Sequence, residues 1–255
     1  AAAIAAVTRL SELTRTEISG FSSIGIGIPG AVDASTGRVT HAVNLGLEGL
    51  ELGAELSGRL GRPVRIDNDV NAFTVAEHWF GVGRDTQEFA VLTIGAGVGL
   101  GLVCRDEVVR GRAGAVGMVG PLKVLDGRRA EEVLNRDRFL AAVDEAVGAS
   151  VEPGIDIVAL GTEVPGVAAL LDDVADAVGE LAGTVSAITA PERILVAVEG
   201  APLLAGREDR VRALVGRMSP DHIPAPTVVV EVVGDAEWAR GAAALAIRAH
   251  MGVGD

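Results

Sequence analysis

A chain of 255 residues, 49% hydrophobic and 22% charged, is long enough to fill one large core or two smaller ones without covalent help. Its 35 acidic and 22 basic side chains give a net charge of -13, which excludes tight binding to phosphate backbones by this segment itself, because that affinity comes from Lys and Arg. Cys104 is the single cysteine, so an internal disulfide and a multi-cysteine zinc site are excluded; with no signal segment in the sequence, the expected compartment is a reducing cytoplasm.

Residues 1–18 have helical composition and end at Ser19-Gly20. Ile24 to Ile28 alternates Ile and Gly with the period of a strand and stops at the turn signal Pro29-Gly30. Leu50 to Leu60 predicts a helix closed by Gly61, with Pro63 just beyond. Val64 to Ile66 predicts a short strand and Asp69 to Phe80 a helix ending at Gly81, so the chain is α/β with repeated βα units and a largely parallel sheet. Phe89 to Ile94 and Leu100 to Val109 predict strands, the second folding back through Arg105-Asp106-Glu107. The uncharged stretch from Phe89 to Cys104 carries four glycines and falls short of the roughly 20 residues of a membrane span, so it reads as buried sheet, with no membrane contact.

Gly111 to Gly127 is irregular. Helices follow at Arg129 to Val147 and Val164 to Ile188, the latter with Asp172, Asp173, Asp176 and Glu180 on its wet face. Arg193 to Val198 predicts a buried strand, Leu203 to Met218 a helix, Thr227 to Val233 a strand and Ala236 to Met251 a closing helix. The expected organisation is a small α/β lobe of residues 1–87 plus 238–255 and a larger α/β lobe of residues 88–237.

Chemistry concentrates at two places. Asp67-Asn68-Asp69-Val70-Asn71 sets two carboxylates and two amides where a strand hands over to a helix, the usual ligand position in open α/β sheets. Asp69 there can accept a hydroxyl proton while Asn68 orients a sugar ring, or Asp69 simply caps the helix. Gly95, Gly97, Gly99 and Gly101 would share one face of an extended strand, leaving bare backbone either for a phosphate or for close packing of another segment. A dinucleotide loop is disfavoured, because that fingerprint opens a helix. His41, His78, His222 and His250 lack metal-ligand spacing, and Glu131-Glu132 reads as a charged helix face.

In order along the chain, Gly27-Ile28-Pro29-Gly30-Ala31-Val32-Asp33, Asn44-Leu45-Gly46-Leu47, Asp67-Asn68-Asp69-Val70-Asn71-Ala72, Gly95-Ala96-Gly97-Val98-Gly99-Leu100-Gly101, Pro191-Glu192-Arg193-Ile194-Leu195-Val196 and Gly241-Ala242-Ala243-Ala244 resemble the ROK family of bacterial sugar kinases and sugar-responsive repressors. The resemblance implies a two-lobed actin-like ATPase (ribonuclease H-like) fold with sugar in a cleft and nucleotide over the glycines. It also implies Asp69 as catalytic base, Asn68 as its sugar-orienting partner, further sugar contacts from Gly30, Asn44 and Glu132, and a phosphate loop over Gly95, Ala96, Gly97 and Gly99.

Departures from the family pattern decide the expected function. Gly117-Met118-Val119-Gly120-Pro121 stands where the family has Gly-Glu-Ile-Gly-His, so a sugar-binding carboxylate and a zinc-holding histidine are gone, as is the cysteine cluster. Ala96 replaces a Thr in the phosphate loop, and acidic Glu199 in Val198-Glu199-Gly200-Ala201 replaces a Gly near the nucleotide. The family's amino-terminal Asp-Gly-Gly-Thr loop is not in the sequence. The expectation is the effector-binding and oligomerisation region of a ROK-type transcriptional regulator, sensing a sugar or sugar-like ligand without kinase activity, cofactor or zinc. It would form a homodimer or homotetramer and reach DNA only through a winged helix-turn-helix absent from this chain, which opens inside a helical pattern without an initiator Met. The alternative is an ATP- and magnesium-dependent ROK sugar kinase with an incomplete amino terminus.

Overall fold

The computed structural model describes residues 2–42 and 45–251. The chain forms two compact units, one made of Ala1–Trp79, Arg110–Val116 and Asp235–Asp255, the other of Phe80–Val109 and Gly117–Gly234. The division falls at Phe80 rather than near Gln87, and the first unit regains a short segment at Arg110 that local sequence pattern does not announce.

In chain order the elements begin with α1 (Ala2–Thr14), β1 (Ile24–Ile28), β2 (Ala31–Asp33), β3 (Arg38–His41), α2 (Leu52–Leu60), β4 (Val64–Asn68) and α3 (Asp69–Phe80). Next come β5 (Glu88–Ile94), β6 (Val98–Cys104), β7 (Glu107–Val108), β8 (Lys123–Val124), β9 (Arg128–Arg129), α4 (Ala130–Leu134) and α5 (Arg136–Val147). The chain continues through α6 (Ile157–Glu163), α7 (Pro165–Thr189), β10 (Arg193–Glu199), α8 (Glu208–Met218), β11 (Thr227–Val233) and α9 (Asp235–Met251). No helix among the described residues is long and apolar enough to cross a membrane.

In the first unit β1 and β4 run parallel, pairing Gly27 with Asp67 and Ile28 with Asn68, so both strands end at the same level. Ile24, Ile28, Val32, Val39, Leu56, Val64 and Ile66 form its core. Gly25 is required by α9: a Cβ there would sit 1.8 Å from the Ala242 carbonyl oxygen. The β2–β3 hairpin, pairing Val32 with Val39, was not expected from the sequence, because each strand buries too few residues to show alternation.

The second unit holds one five-stranded sheet, ordered β11-β10-β5-β6-β7. Its first three strands are parallel and its last two antiparallel, so the sheet is mixed and not largely parallel. Arg105 and Asp106, at φ 53° and 66°, make the tight turn from β6 to β7. The helix expected over Arg129 to Val147 is broken at Asn135, whose backbone is extended and whose side chain caps α5 by accepting the Arg138 N–H. Helix α6 was also unforeseen; Asp156 starts it by accepting the N–H groups of Val158 and Ala159.

Helix α7 buries Val167, Leu171, Val174, Val178, Leu181 and Val185 at helical spacing. Its acidic face is not merely wet. Arg207 meets Asp172 at 2.7 Å, Arg128 meets Asp173 at 2.7 Å, and Glu180 accepts the Leu125 N–H at 2.8 Å. These contacts bind the neighbouring segments to the helix.

Candidate functional site

The polar turn between β4 and α3 is held by its own atoms. Asn68 Oδ1 accepts the Asn71 N–H at 3.0 Å, which satisfies an otherwise unpartnered donor of the first helical turn. The cap is therefore Asn68; Asp69 occupies the first helical position instead, with its Oδ1 accepting the Val70 N–H at 2.8 Å. The Asn68 amide donates to the Gly30 carbonyl at 2.8 Å and to Asp69 Oδ1 at 3.1 Å. Gly30 is at φ +129°, and a Cβ there would lie 2.2 Å from the His41 carbonyl oxygen, so the carbonyl that orients Asn68 depends on glycine.

These bonds define what the turn can bind. Both N–H groups of Asn68 are engaged, leaving an acceptor lone pair on Oδ1, and Asp69 contributes a half-buried carboxylate beside it. A surface of acceptors suits a ligand that donates, such as a hydroxyl-rich polyol, and repels anions.

Behind the turn lies Asp67, 1% exposed. Its Oδ2 receives Nε and Nη2 of Arg110, both at 2.8 Å, while its Oδ1 accepts the Asn68 N–H at 2.8 Å and the Asn71 amide at 3.2 Å. The sequence marks Asp67 as one of two carboxylates in the motif. Nothing in local spacing marks Arg110, 43 residues away.

The glycine run in the second unit differs from its expected form. Strand β5 ends at Ile94, which pairs with Val98, so Gly95, Ala96 and Gly97 are a hairpin turn; only Gly99 and Gly101 lie on β6, opposite Thr93 and Val91. The break between α4 and α5 holds this turn: Arg136 N–H donates to the Gly95 carbonyl at 2.8 Å and the Asn135 amide to the Ala96 carbonyl at 2.6 Å. At the end of β10, Glu199 Oε2 accepts the Ala96 N–H at 3.0 Å and lies 3.4 Å from the Arg136 guanidinium. A Cβ on Gly95 would come within 2.2 Å of that same oxygen. The bare backbone at Gly95 thus makes room for a carboxylate of the chain itself, which occupies the Ala96 N–H.

Glu132 lies at the start of α4. Its carboxylate accepts the Arg129 N–H at 2.7 Å, holding the start of α4. That backbone hydrogen bond is the main reason its pKa falls below the usual carboxylate value. Asn44 lies outside the described residues. Met118 and Pro121 are both exposed. No group of three or more His, Cys, Asp or Glu among the described residues is placed to hold a metal ion.

The ROK family model matches residues 2–132, just over half of the 255 residues. The chain belongs to the ROK family. Its ROK relatives include a xylose repressor of Caldicellulosiruptor bescii, 36% identical over 101 residues, covering 40% of this chain and 25% of the repressor. A glucokinase of Halalkalibacterium halodurans is 35% identical over 125 residues, covering 49% of this chain and 38% of the kinase. The matched stretches therefore span well under half of either relative. Among solved structures, a ROK family transcriptional regulator homologous to the E. coli MLC protein superposes with a TM-score of 0.80 at 22% identity, covering 96% of this chain and 68% of that one. The ROK fold here is the α/β, actin-like ATPase fold. Repressor and kinase stand at nearly equal identity, so the family alone does not choose between regulator and enzyme.

Proposed function

We propose that this chain is the effector-binding and oligomerisation region of a ROK transcriptional regulator that senses a sugar or sugar-like polyol at the Asn68–Asp69 turn and has no kinase activity. The observation that carries this reading is Glu199 on the Ala96 N–H at 3.0 Å. Phosphoryl transfer relies on donors and cations aimed at phosphate oxygens. Here the hairpin donor is spent on an internal carboxylate, and a phosphate brought to it would meet a like charge. Ala96 also lacks the hydroxyl that the family pattern puts in this loop. Under this reading the regulator works in the cytoplasm as a homodimer or homotetramer, needs no cofactor or zinc, and contacts DNA through a domain outside this chain.

Asp69 favours a second reading, an ATP-dependent ROK sugar kinase in which it takes the hydroxyl proton, and the glucokinase relative supports that alternative. The two separate in one pair of measurements. Calorimetric titration with D-glucose, D-xylose and N-acetyl-D-glucosamine is expected to give heat with at least one sugar, lost in Asp69→Ala. A coupled ATP-consumption assay over the same sugars is expected to show no turnover. Turnover that disappears in Asp69→Asn would replace the regulator with the kinase.

A further inference from the structure

The Asn68–Asp69 turn is backed by the ion pair of Asp67 and Arg110. Asp67 is almost fully buried, and a buried carboxylate is tolerated only when paired and hydrogen-bonded. Arg110 supplies the pairing with two nitrogens on one oxygen, while the other oxygen holds the backbone of Asn68 and the amide of Asn71. Asn71 in turn gives its N–H to Asn68 Oδ1, and Asn68 gives its amide to Gly30 and Asp69. A continuous path of hydrogen bonds thus runs from Arg110 to the acceptor face.

Arg110 is itself fixed. The segment it opens, Arg110–Val116, packs on the β2–β3 hairpin: Thr40 Oγ1 lies 2.8 Å from the Ala113 carbonyl oxygen, and a Cβ on Gly114 would lie 2.1 Å from the Val32 carbonyl oxygen. The guanidinium arrives from a held loop, and its side chain is only 20% exposed.

We propose that Arg110 and Asp67 are positioning residues of the polyol site, setting the orientation of Asn68 and Asp69 through the Asp67 carboxylate. This rests on the Asn68–Asp69 turn being the ligand site. The carboxylate converts one long-range ion pair into the conformation of a turn whose own residues are all local. Replacing Arg110 leaves Asp67 buried without its cation, so the carboxylate must move or draw in water, and its hold on Asn68 and Asn71 loosens.

The chain has four Asn and one Gln, so its side-chain carboxamide signals in a nitrogen–proton NMR spectrum are few enough to assign individually. In Arg110→Met, the Asn68 and Asn71 carboxamide protons are expected to exchange with solvent ~10-fold faster than in the unaltered chain, with Arg110→Lys intermediate. Val39→Ala, a cavity in the core of the same unit, serves as the comparison: it should lower the melting temperature without moving these signals. Should Arg110→Met fail to fold, Arg110→Lys carries the measurement. Asn68 signals that respond to the Arg110 variants no more than to Val39→Ala would overturn the proposal. The NMR readout needs no ligand, so it stands whether or not D-glucose, D-xylose or N-acetyl-D-glucosamine binds. Where one of them does bind, its affinity is expected to fall ~10-fold in Arg110→Lys, and unchanged affinity would count against positioning while leaving the site assignment intact.

Discussion

The Glu199 carboxylate accepts the Ala96 N–H at 3.0 Å with the Arg136 guanidinium 3.4 Å from the same oxygen, so the second unit's hairpin holds an anion of its own. Removing that carboxylate in Glu199→Ala leaves a backbone donor and a cation facing the vacated space. A charge-assisted hydrogen bond to a phosphate oxygen contributes about 1.5–3 kcal/mol. Inorganic phosphate is therefore expected to bind Glu199→Ala at least ~10-fold more tightly than the unaltered chain, with the Ala96 amide resonance shifting during titration. Equal affinities for the two proteins would mean that Glu199 is not occupying an anion position.

A pH dependence follows from Glu132. The Arg129 N–H holds its pKa below the ordinary 4.5, with smaller contributions from nearby Lys123, Arg129 and Arg138. Because the folded value is depressed, the stabilisation is present above pH 4.5 and is lost as the pH falls through the folded value. Glu132→Gln keeps a side-chain oxygen able to accept the Arg129 N–H but without charge. Hydrogen exchange at the Arg129 amide should be slower in the unaltered chain than in Glu132→Gln at neutral pH, and the difference should vanish in acid. A difference that persists below the folded pKa would show that this bond does not depend on ionisation.

Two glycines test the packing in opposite directions. Gly25→Ala puts a methyl 1.8 Å from the Ala242 carbonyl oxygen, so α9 must shift, and a cost of about 3 kcal/mol is expected. Gly216→Ala, in the exposed surface of α8 with no atom near its added Cβ, should stabilise by about 0.5–1 kcal/mol through helix propensity. Urea denaturation midpoints measure both; a neutral Gly25→Ala would mean that α9 does not pack this closely on β1.

Much of this arrangement is readable from local pattern. Strands β1 and β4 and helix α3 announce themselves because alternation, a turn signal and a capping residue lie within a few positions of each other. Glu199 is recognisable as an acid near the glycines, but its direction depends on β10 lying beside β5 in the sheet. The helix break at Asn135 has a local cap, the Arg138 N–H, but the same side chain is also engaged by the Ala96 carbonyl, 39 positions away. Nor does pattern reveal that four glycines at even spacing divide between a turn and a strand, because the hairpin at Gly95–Gly97 resets the alternation. The direction of Glu199 and the Asn135–Ala96 bond are decided by contacts of high sequence separation.

Asn68 combines a structural and a ligand-facing role, and one substitution separates them. Asn68→Asp retains an oxygen to accept the Asn71 N–H, and a carboxylate at a helix amino terminus is as good a cap as an amide. It loses both donors, so the Gly30 carbonyl and Asp69 Oδ1 now face a like-charged or acceptor-only neighbour. Asn68→Ala loses the cap as well, with a cost of about 1 kcal/mol. Asn68→Asp should accordingly melt above Asn68→Ala, yet bind D-glucose, D-xylose or N-acetyl-D-glucosamine at least ~10-fold more weakly than the unaltered chain, because Asp69 is no longer oriented by an amide. Thermal melts and titration of the two variants side by side measure this. If Asn68→Asp keeps full sugar affinity, the amide orients nothing that the ligand reads, and the polyol site must be sought elsewhere.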